Sequence, residues 1–131
     1  MSTRPEEAGN LKVGSFVVID GEPCKIVEVE KSKTGKHGSA KVRIVAIGFF
    51  DGVKRSMVAP SSARVDVPIV NKSSAQMIAD TGSTIQLMDM STYEVYEVPV
   101  PEEEELKAKL TPGVEVEVWE IMGRKKIMRV R

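Results

Sequence analysis

A lysine and a histidine stand between two glycines in the stretch Ser32-Lys-Thr-Gly-Lys-His-Gly-Ser-Ala40. The glycines, Gly35 and Gly38, can adopt the positive φ values that a sharp reversal needs. A side chain at the apex of such a turn points away from the sheet, so we expect Lys36 to stand in solvent at the tip of a β-hairpin. An exposed amine there could contact a phosphate or accept a covalent group.

Three interpretations of this loop compete. The simplest is an ordinary glycine-containing hairpin with solvated lysines. A phosphate-binding loop of the Walker type is excluded, because Glu30 stands where its first glycine is required, His37 replaces the Ser or Thr after the lysine, and no helix follows. The third is a basic loop that contacts RNA phosphates or receives a modification. Spacing alone does not separate the third from the first.

The residue inventory disfavours an enzyme. Cys24 is the only cysteine and His37 the only histidine, so no intrachain disulfide or multi-cysteine metal site can form and any Ser-His or Cys-His scheme depends on one residue. Cys24 falls in a predicted strand, where we expect a buried, inert thiol. We therefore expect no catalytic residues, no bound cofactor or metal and no small-molecule substrate.

Composition indicates a soluble globular protein, with 41% hydrophobic and 29% charged residues. No apolar run is long enough to span a bilayer, and the polar start, residues 1–10, lacks the apolar core of a signal peptide. We expect a cytoplasmic protein with no membrane partner and a flexible N-terminus over residues 1–10.

The first half of the chain predicts short strands separated by turns. Strands are predicted at 15–19, 24–30, 40–47 and 53–58, since these stretches are apolar or alternate apolar with polar residues. Asp20–Pro23 and Asp51-Gly52 are turn signals. This order predicts a small SH3-like barrel over residues 11–69, and Pro68, which cannot donate to a sheet ladder, favours a boundary near residue 70.

The second half, residues 70–131, predicts a five-stranded OB-type barrel. Strands are predicted at 76–79, 84–88, 93–98, 114–121 and 126–130. One helix, Pro101–Leu110, is predicted between the third and fourth of them. Proline suits its first turn, glutamates complement the positive end of the helix dipole, and Pro112-Gly113 ends it. A helix between strands three and four fits the OB order.

Charge separates the two halves, although the whole chain is neutral. Residues 1–70 hold 11 Lys and Arg against 8 Asp and Glu, whereas residues 71–131 hold 8 against 11. In the first half, basic residues crowd around the glycine-flanked loop. The split between the halves is too small to prove a nucleic-acid partner, and the local positive field is the first indication of function.

The loop closely resembles the modification loop of translation factor 5A, the hypusine-containing family, and the order of the two barrels also matches. Gly21–Val27 is similar to that family's strand leading into the loop, and Val65–Pro68 to its inter-domain junction. Bacterial elongation factor P is similar in its first barrel but fits the loop tip less well. Ser39, where eukaryotic members usually have His, and the lack of a longer tail beyond Arg131 indicate the archaeal type.

The resemblance implies that Lys36 is the modified residue. A separate NAD-dependent deoxyhypusine synthase would transfer an aminobutyl group from spermidine to its amine, giving deoxyhypusine or, after hydroxylation, hypusine. The modification loop would comprise Lys33, Thr34, Gly35, His37, Gly38 and Ser39. The modified side chain would help position peptidyl-tRNA on the ribosome where peptide-bond formation stalls, as at consecutive prolines.

The resemblance also implies contacts with ribosomal RNA or tRNA through basic side chains of both barrels. The expected residues are Lys31, Lys41 and Arg43 near the loop, and Arg124, Lys125, Lys126 and Arg129 in the second barrel. The alternative function is an unmodified RNA-binding module, ribosomal or chaperone-like.

Overall fold

The computed structural model describes residues 2–33 and 40–131. The chain forms two compact units, Met1–Ile69 and Val70–Arg131. The described residues of both units lie mostly in antiparallel strands, and the predicted all-β class, with one short α-helix, is confirmed.

The described part of the first unit contains six strands. These are β1 (Thr3–Glu7), β2 (Phe16–Ile19), β3 (Glu22–Lys33), β4 (Ala40–Gly48), β5 (Lys54–Pro60) and β6 (Arg64–Pro68). Strands β2 to β5 form a four-stranded sheet in chain order, and β1 pairs with β6. The predicted β-hairpin between residues 33 and 40 is thus held by the two longest strands of this sheet.

Alternation along β4 builds the core of this unit. Val42, Ile44 and Ala46 are fully buried, while Lys41 and Arg43, which alternate with them at the start of the strand, are exposed. Residues from the other strands and from the N-terminal segment complete the core. They are Ala8, Leu11, Val17, Ile19, Cys24, Ile26 and Val67.

The predicted flexible N-terminus is wrong for residues 3–10. Strand β1 pairs in register with all of β6, from Thr3 opposite Pro68 to Glu7 opposite Arg64. A 3-10 helix, Ala8–Asn10, follows, and Ala8 is fully buried. Sequence inspection missed this strand because Thr3–Glu7 has neither apolar alternation nor β-branched runs, and backbone pairing does not depend on them.

The second unit contains five strands and one α-helix. These are β7 (Val70–Asp80), β8 (Thr84–Asp89), β9 (Val95–Pro99), α1 (Glu104–Lys109), β10 (Glu115–Ile121) and β11 (Arg124–Val130). The sheet order is β11-β10-β7-β8-β9, with the helix between the third and fourth strands of the unit, and the predicted OB-type order is confirmed. The buried core comprises Ala75, Met77, Ile85, Leu87, Val98, Val116, Val118 and Ile127.

The helix begins later than predicted. Its N-cap is Glu103, which is extended at φ −67° and ψ 120°, so Pro101 lies before the helix and is buried there. Leu106 and Leu110 pack against the core of the unit, which explains why a stretch this short stays helical. Among the described residues, no helix is long and apolar enough to cross a membrane.

We predict that removing residues 2–7 destabilises the first unit by exposing the β6 edge. The amide of Ile69 donates to the carbonyl oxygen of Ser2 at 2.9 Å, so its hydrogen exchange should become fast in the truncated protein. Amides in the centre of β4, such as that of Ile44, should stay protected. Unchanged protection of Ile69 would show that β1 contributes nothing to the native state.

Candidate functional site

The ends of the glycine-flanked loop are held by paired strands. Lys33, the last residue of β3, lies opposite Ala40, the first of β4, and Ser32 lies opposite Lys41. Six residues join these strand ends. They are Thr34, Gly35, Lys36, His37, Gly38 and Ser39, all of which lie outside the described residues. What the structure describes is therefore the frame on which the predicted modification loop is mounted.

The β4 end of this frame is supported from the other side by the β5–β6 turn. Lys41 pairs with Pro60, and the backbone N–H of Ser61 donates to the carbonyl oxygen of Ala40 at 2.9 Å. Gly9 in turn donates its N–H to the carbonyl oxygen of Ser61 at 2.9 Å. The N-terminal segment, the turn and the base of the loop are thus linked by two consecutive backbone hydrogen bonds.

Gly9 is needed for this close approach. A Cβ built on Gly9 would lie 2.9 Å from the Cβ of Ser61 and 3.1 Å from its carbonyl oxygen, which is closer than normal van der Waals contact. Any larger residue must push the β5–β6 turn away from the 3-10 helix. Ser61, whose N–H donates to Ala40, would move with the turn.

The register divides the predicted RNA contacts near the loop between two faces. Lys31 lies opposite the buried Val42, so its side chain is on the core-facing side of the sheet, at a position past the end of the core. Lys41 and Arg43 lie on the outer face of β4. All three side chains are exposed, and their contact with RNA stays a prediction.

Glutamates partly neutralise the outer face of this hairpin. Glu30 lies opposite Arg43, and their side chains form an exposed ion pair with an Nη1–Oε2 distance of 3.8 Å. Glu28 shares that face, because it lies two residues before Glu30. Exposed ion pairs add about 0–1 kcal/mol at most, so Arg43 can exchange Glu30 for a phosphate at little cost. Lys31 and Lys41 add exposed positive charge next to the loop.

In the second unit, a β-bulge determines which basic residues share a face. Trp119 on β10 lies opposite Lys126, and Glu117 lies opposite Arg129, although an unbroken strand would place residues 126 and 129 on opposite faces. The extra residue is Met128, which the bulge leaves without a partner on β10. Arg124, opposite Ile121, lies on the same outer face.

Lys125 is separated from the other three predicted contacts. It lies opposite Glu120, on the core-facing side of the sheet, with its Nζ 3.9 Å from the ring centroid of Tyr96. Burial raises the pKa of Tyr96 to about 12, so the phenol stays neutral at physiological pH. Because Lys125 is held against the Tyr96 ring on the other side of the sheet, it is poorly placed to contact anything bound to the outer face.

Three residues of this outer face were not singled out from the sequence. Lys72 on β7 lies directly opposite Trp119, and its Nζ is 4.5 Å from the Trp119 ring centroid. Arg131 extends the β11 row, since its N–H donates to the carbonyl oxygen of Glu115 at 2.9 Å. We call this surface the basic face. It consists of Lys72, Trp119, Arg124, Lys126, Arg129 and Arg131. The alternation in β10 was sufficient to place Trp119 on the outer face of the sheet. Only the order of the strands shows that Lys72 lies beside it.

The described residues contain little that suggests other chemistry. Cys24 is fully buried, as predicted, and burial raises the pKa of its thiol, which makes it a poor nucleophile. Among the described residues, no group of three or more His, Cys, Asp or Glu side chains could hold a metal ion.

Two family models together match nearly the whole chain. The model described as "Translation initiation factor 5A-like, N-terminal" matches residues 1–63. The model described as "Eukaryotic elongation factor 5A hypusine, DNA-binding OB fold" matches residues 69–131. The fold and these matches define a translation factor built from two small β-barrels.

Curated proteins and solved structures agree with this class over the full length. Translation initiation factor 5A of Thermofilum pendens is 71% identical over 131 residues, covering 100% of this chain and 99% of its own. The same factor of Pyrobaculum islandicum is 61% identical, with 100% of both chains covered. A solved structure, the eukaryotic translation initiation factor 5A from Methanococcus jannaschii, superposes with a TM-score of 0.92 at 48% identity, covering 99% of this chain and 96% of that one. The chain belongs to the translation factor 5A family, and the predicted resemblance is confirmed.

We predict that Gly9→Ala destabilises the first unit by about 1–3 kcal/mol, because the added methyl group overpacks against Ser61. Exchange of the Ser61 amide should become faster as its hydrogen bond to Ala40 weakens. The control is a double-mutant cycle with Ser61→Gly, which removes the Cβ that the methyl group meets. The two changes should couple favourably by at least about 0.5 kcal/mol. Additive free energies of unfolding would contradict the proposed contact.

Proposed function

We propose that this protein is a ribosome-binding factor whose Lys36 carries a hypusine or deoxyhypusine side chain. The observation that carries the proposal is the Gly35-Lys36-His37-Gly38 motif within a chain that matches the 5A family from end to end. The family model that matches the second unit is itself named for hypusine.

The frame of the loop supports the choice of acceptor. Strands β3 and β4 stay paired up to Lys33 and Ala40, so the six residues between them start at the very end of the sheet. A short connection between paired strands would let a modifying enzyme reach the loop without unfolding the barrel. Glycines beside Lys36 would let the loop enter a narrow active site without side-chain bulk.

The modification itself would be carried out by a separate NAD-dependent deoxyhypusine synthase. The deprotonated amine of Lys36 would form a bond to the terminal carbon of the aminobutyl part of spermidine, and the remaining diamine would leave. Hydroxylation, where it follows, would give hypusine. The product would be a longer side chain with two amines.

On the ribosome, this side chain would act by positioning. The ribosome performs peptide-bond formation, and the modified Lys36 would restrict the acceptor end of peptidyl-tRNA to productive geometries at stalling sequences such as consecutive prolines. For well-oriented reactants, positioning alone can lower the activation barrier by up to about 7–11 kcal/mol. Lys31, Lys41 and Arg43 would bind RNA phosphates around the loop, and basic residues of the second unit would add further contacts.

We predict that Lys36→Arg leaves the fold unchanged but abolishes the modification and the activity at consecutive prolines. Arginine keeps the charge but cannot accept the aminobutyl group. Intact mass and peptide mapping of protein from the native host should place the added aminobutyl group on residue 36. In a reconstituted translation system, the variant should leave the synthesis of polyproline-containing proteins at the stalled rate.

Lys107→Arg is the matched control, because it makes the same change in the exposed last turn of α1, outside the loop, and should retain both modification and activity. A native protein with an unmodified Lys36 would instead favour the alternative, an unmodified RNA-binding module. Normal polyproline synthesis with Lys36→Arg would show that the chemical state of this side chain is irrelevant to the activity.

A further inference from the structure

The basic face of the second unit concentrates positive charge that the unit as a whole lacks. Residues 71–131 carry 11 acidic and 8 basic side chains. Strand register nevertheless gathers five of the basic ones on the outer surface of β7, β10 and β11, against two glutamates of β10. Those glutamates are Glu115 and Glu117. Such a local reversal of sign is typical of a surface for an anionic partner.

Trp119 lies at the centre of this face. Its neighbours in register are Lys72 on one side and Lys126 on the other, one on each adjacent strand. The Nζ of Lys72 is 4.5 Å from the ring centroid, a distance at which the cation and the ring attract each other. An aromatic ring between lysines combines a stacking surface with charges that can track a phosphate backbone.

Glu117 organises the rest of the face. Its Oε2 accepts a hydrogen bond from the Trp119 Nε1–H at 3.2 Å and forms an ion pair with Nε of Arg129 at 2.9 Å. Its Oε1 accepts from Nη2 of Arg131 at 3.2 Å. One carboxylate, only 16% exposed, therefore orients an indole and two guanidinium groups. Both arginines stay accessible, with side chains 63% and 45% exposed, and each has further N–H donors for a phosphate.

We infer that the basic face binds single-stranded RNA, with phosphates at Lys72, Lys126, Arg129 and Arg131 and a nucleotide base in contact with Trp119. Interleaving of cations with an aromatic side chain favours a single strand, whose bases are available for stacking, over a duplex. This inference rests on the proposed function, since it specifies where the second unit contacts RNA. It places that contact on β7, β10 and β11 and leaves Lys125, over Tyr96, outside it.

Trp119 is the only tryptophan of the chain, so its fluorescence reports on this face alone. We predict that titrating the full-length protein with a 12-nucleotide oligouridylate changes Trp119 emission with the same midpoint as the anisotropy of the labelled RNA. Binding should weaken as salt rises, because phosphate contacts release counterions. RNA that binds without any change in Trp119 emission would place the contact elsewhere and overturn the inference.

A charge-matched pair of double variants tests the assignment. Lys72→Gln with Arg129→Gln should weaken binding at least about tenfold and reduce the salt dependence by about one to two phosphate contacts. Lys107→Gln with Lys109→Gln removes the same charge from the exposed last turn of α1 and should change affinity less than about twofold. Equal losses in both variants would mean that only the overall charge matters, and the inference would be wrong.

Two further measurements separate this inference from other partners and from the proposed function. Trp119→Phe should retain most of the RNA affinity and Trp119→Leu should not, since only phenylalanine keeps a ring for the lysines and a base. Binding to polyglutamate as tight as to RNA would indicate an acidic protein partner instead. If the basic-face variant loses neither RNA binding nor activity while Lys36→Arg loses activity, this inference fails and the proposed function stands.

Discussion

The first unit depends on the register of β4, which is paired along both of its edges. Strand β3 lies on one side and β5 on the other, and the inward residues of β4 form the centre of the core. A slip of one residue would exchange Val42 and Ile44 with Lys41 and Arg43, burying charge and exposing the core. The burial of this strand therefore fixes both the position of the loop ends and the face on which its basic side chains lie.

That constraint gives a small unit a fixed frame for the loop that is proposed to be modified. A unit of about 60 residues buries only about 60% of its unfolded surface, so it has little stability to spare for a strained or inserted loop. Here the loop ends continue the paired strands β3 and β4, and Ala40 receives an additional hydrogen bond from the turn at Ser61. The N-terminal segment supports that turn through Gly9, which gives the otherwise unremarkable residues 3–10 a structural role near the loop.

In the second unit, an irregularity in one strand decides which basic side chains share a face. In β11, the bulge at Met128 reverses the alternation between Lys126 and Arg129, so that residues with odd spacing reach one face. Glu117 on β10 then contacts Trp119 on its own strand, Arg129 on β11 and Arg131 just after β11. The result is a cationic surface on a unit whose net charge is negative. Net charge alone would have assigned that unit a modest role in binding RNA.

Local sequence determined much of this protein. Alternation of apolar and polar residues located most of the strands, Asp-Gly and Pro-Gly dipeptides located turns, and the Gly35–Gly38 motif indicated the family and the residue proposed for modification. These signals are local, because side-chain period and backbone freedom are properties of a few consecutive residues. The placement of Lys36 itself lies outside the described residues and stays a prediction.

Tertiary structure alone decided which distant residues meet. The pairing of β1 with β6, the separation of Lys125 from Lys126, and the meeting of Lys72, Trp119 and Arg129 all depend on strand order and on one bulge. Such contacts join segments that are far apart in the chain, and their register is chosen by the free energy of burying the whole core. No property of the individual segments specifies it.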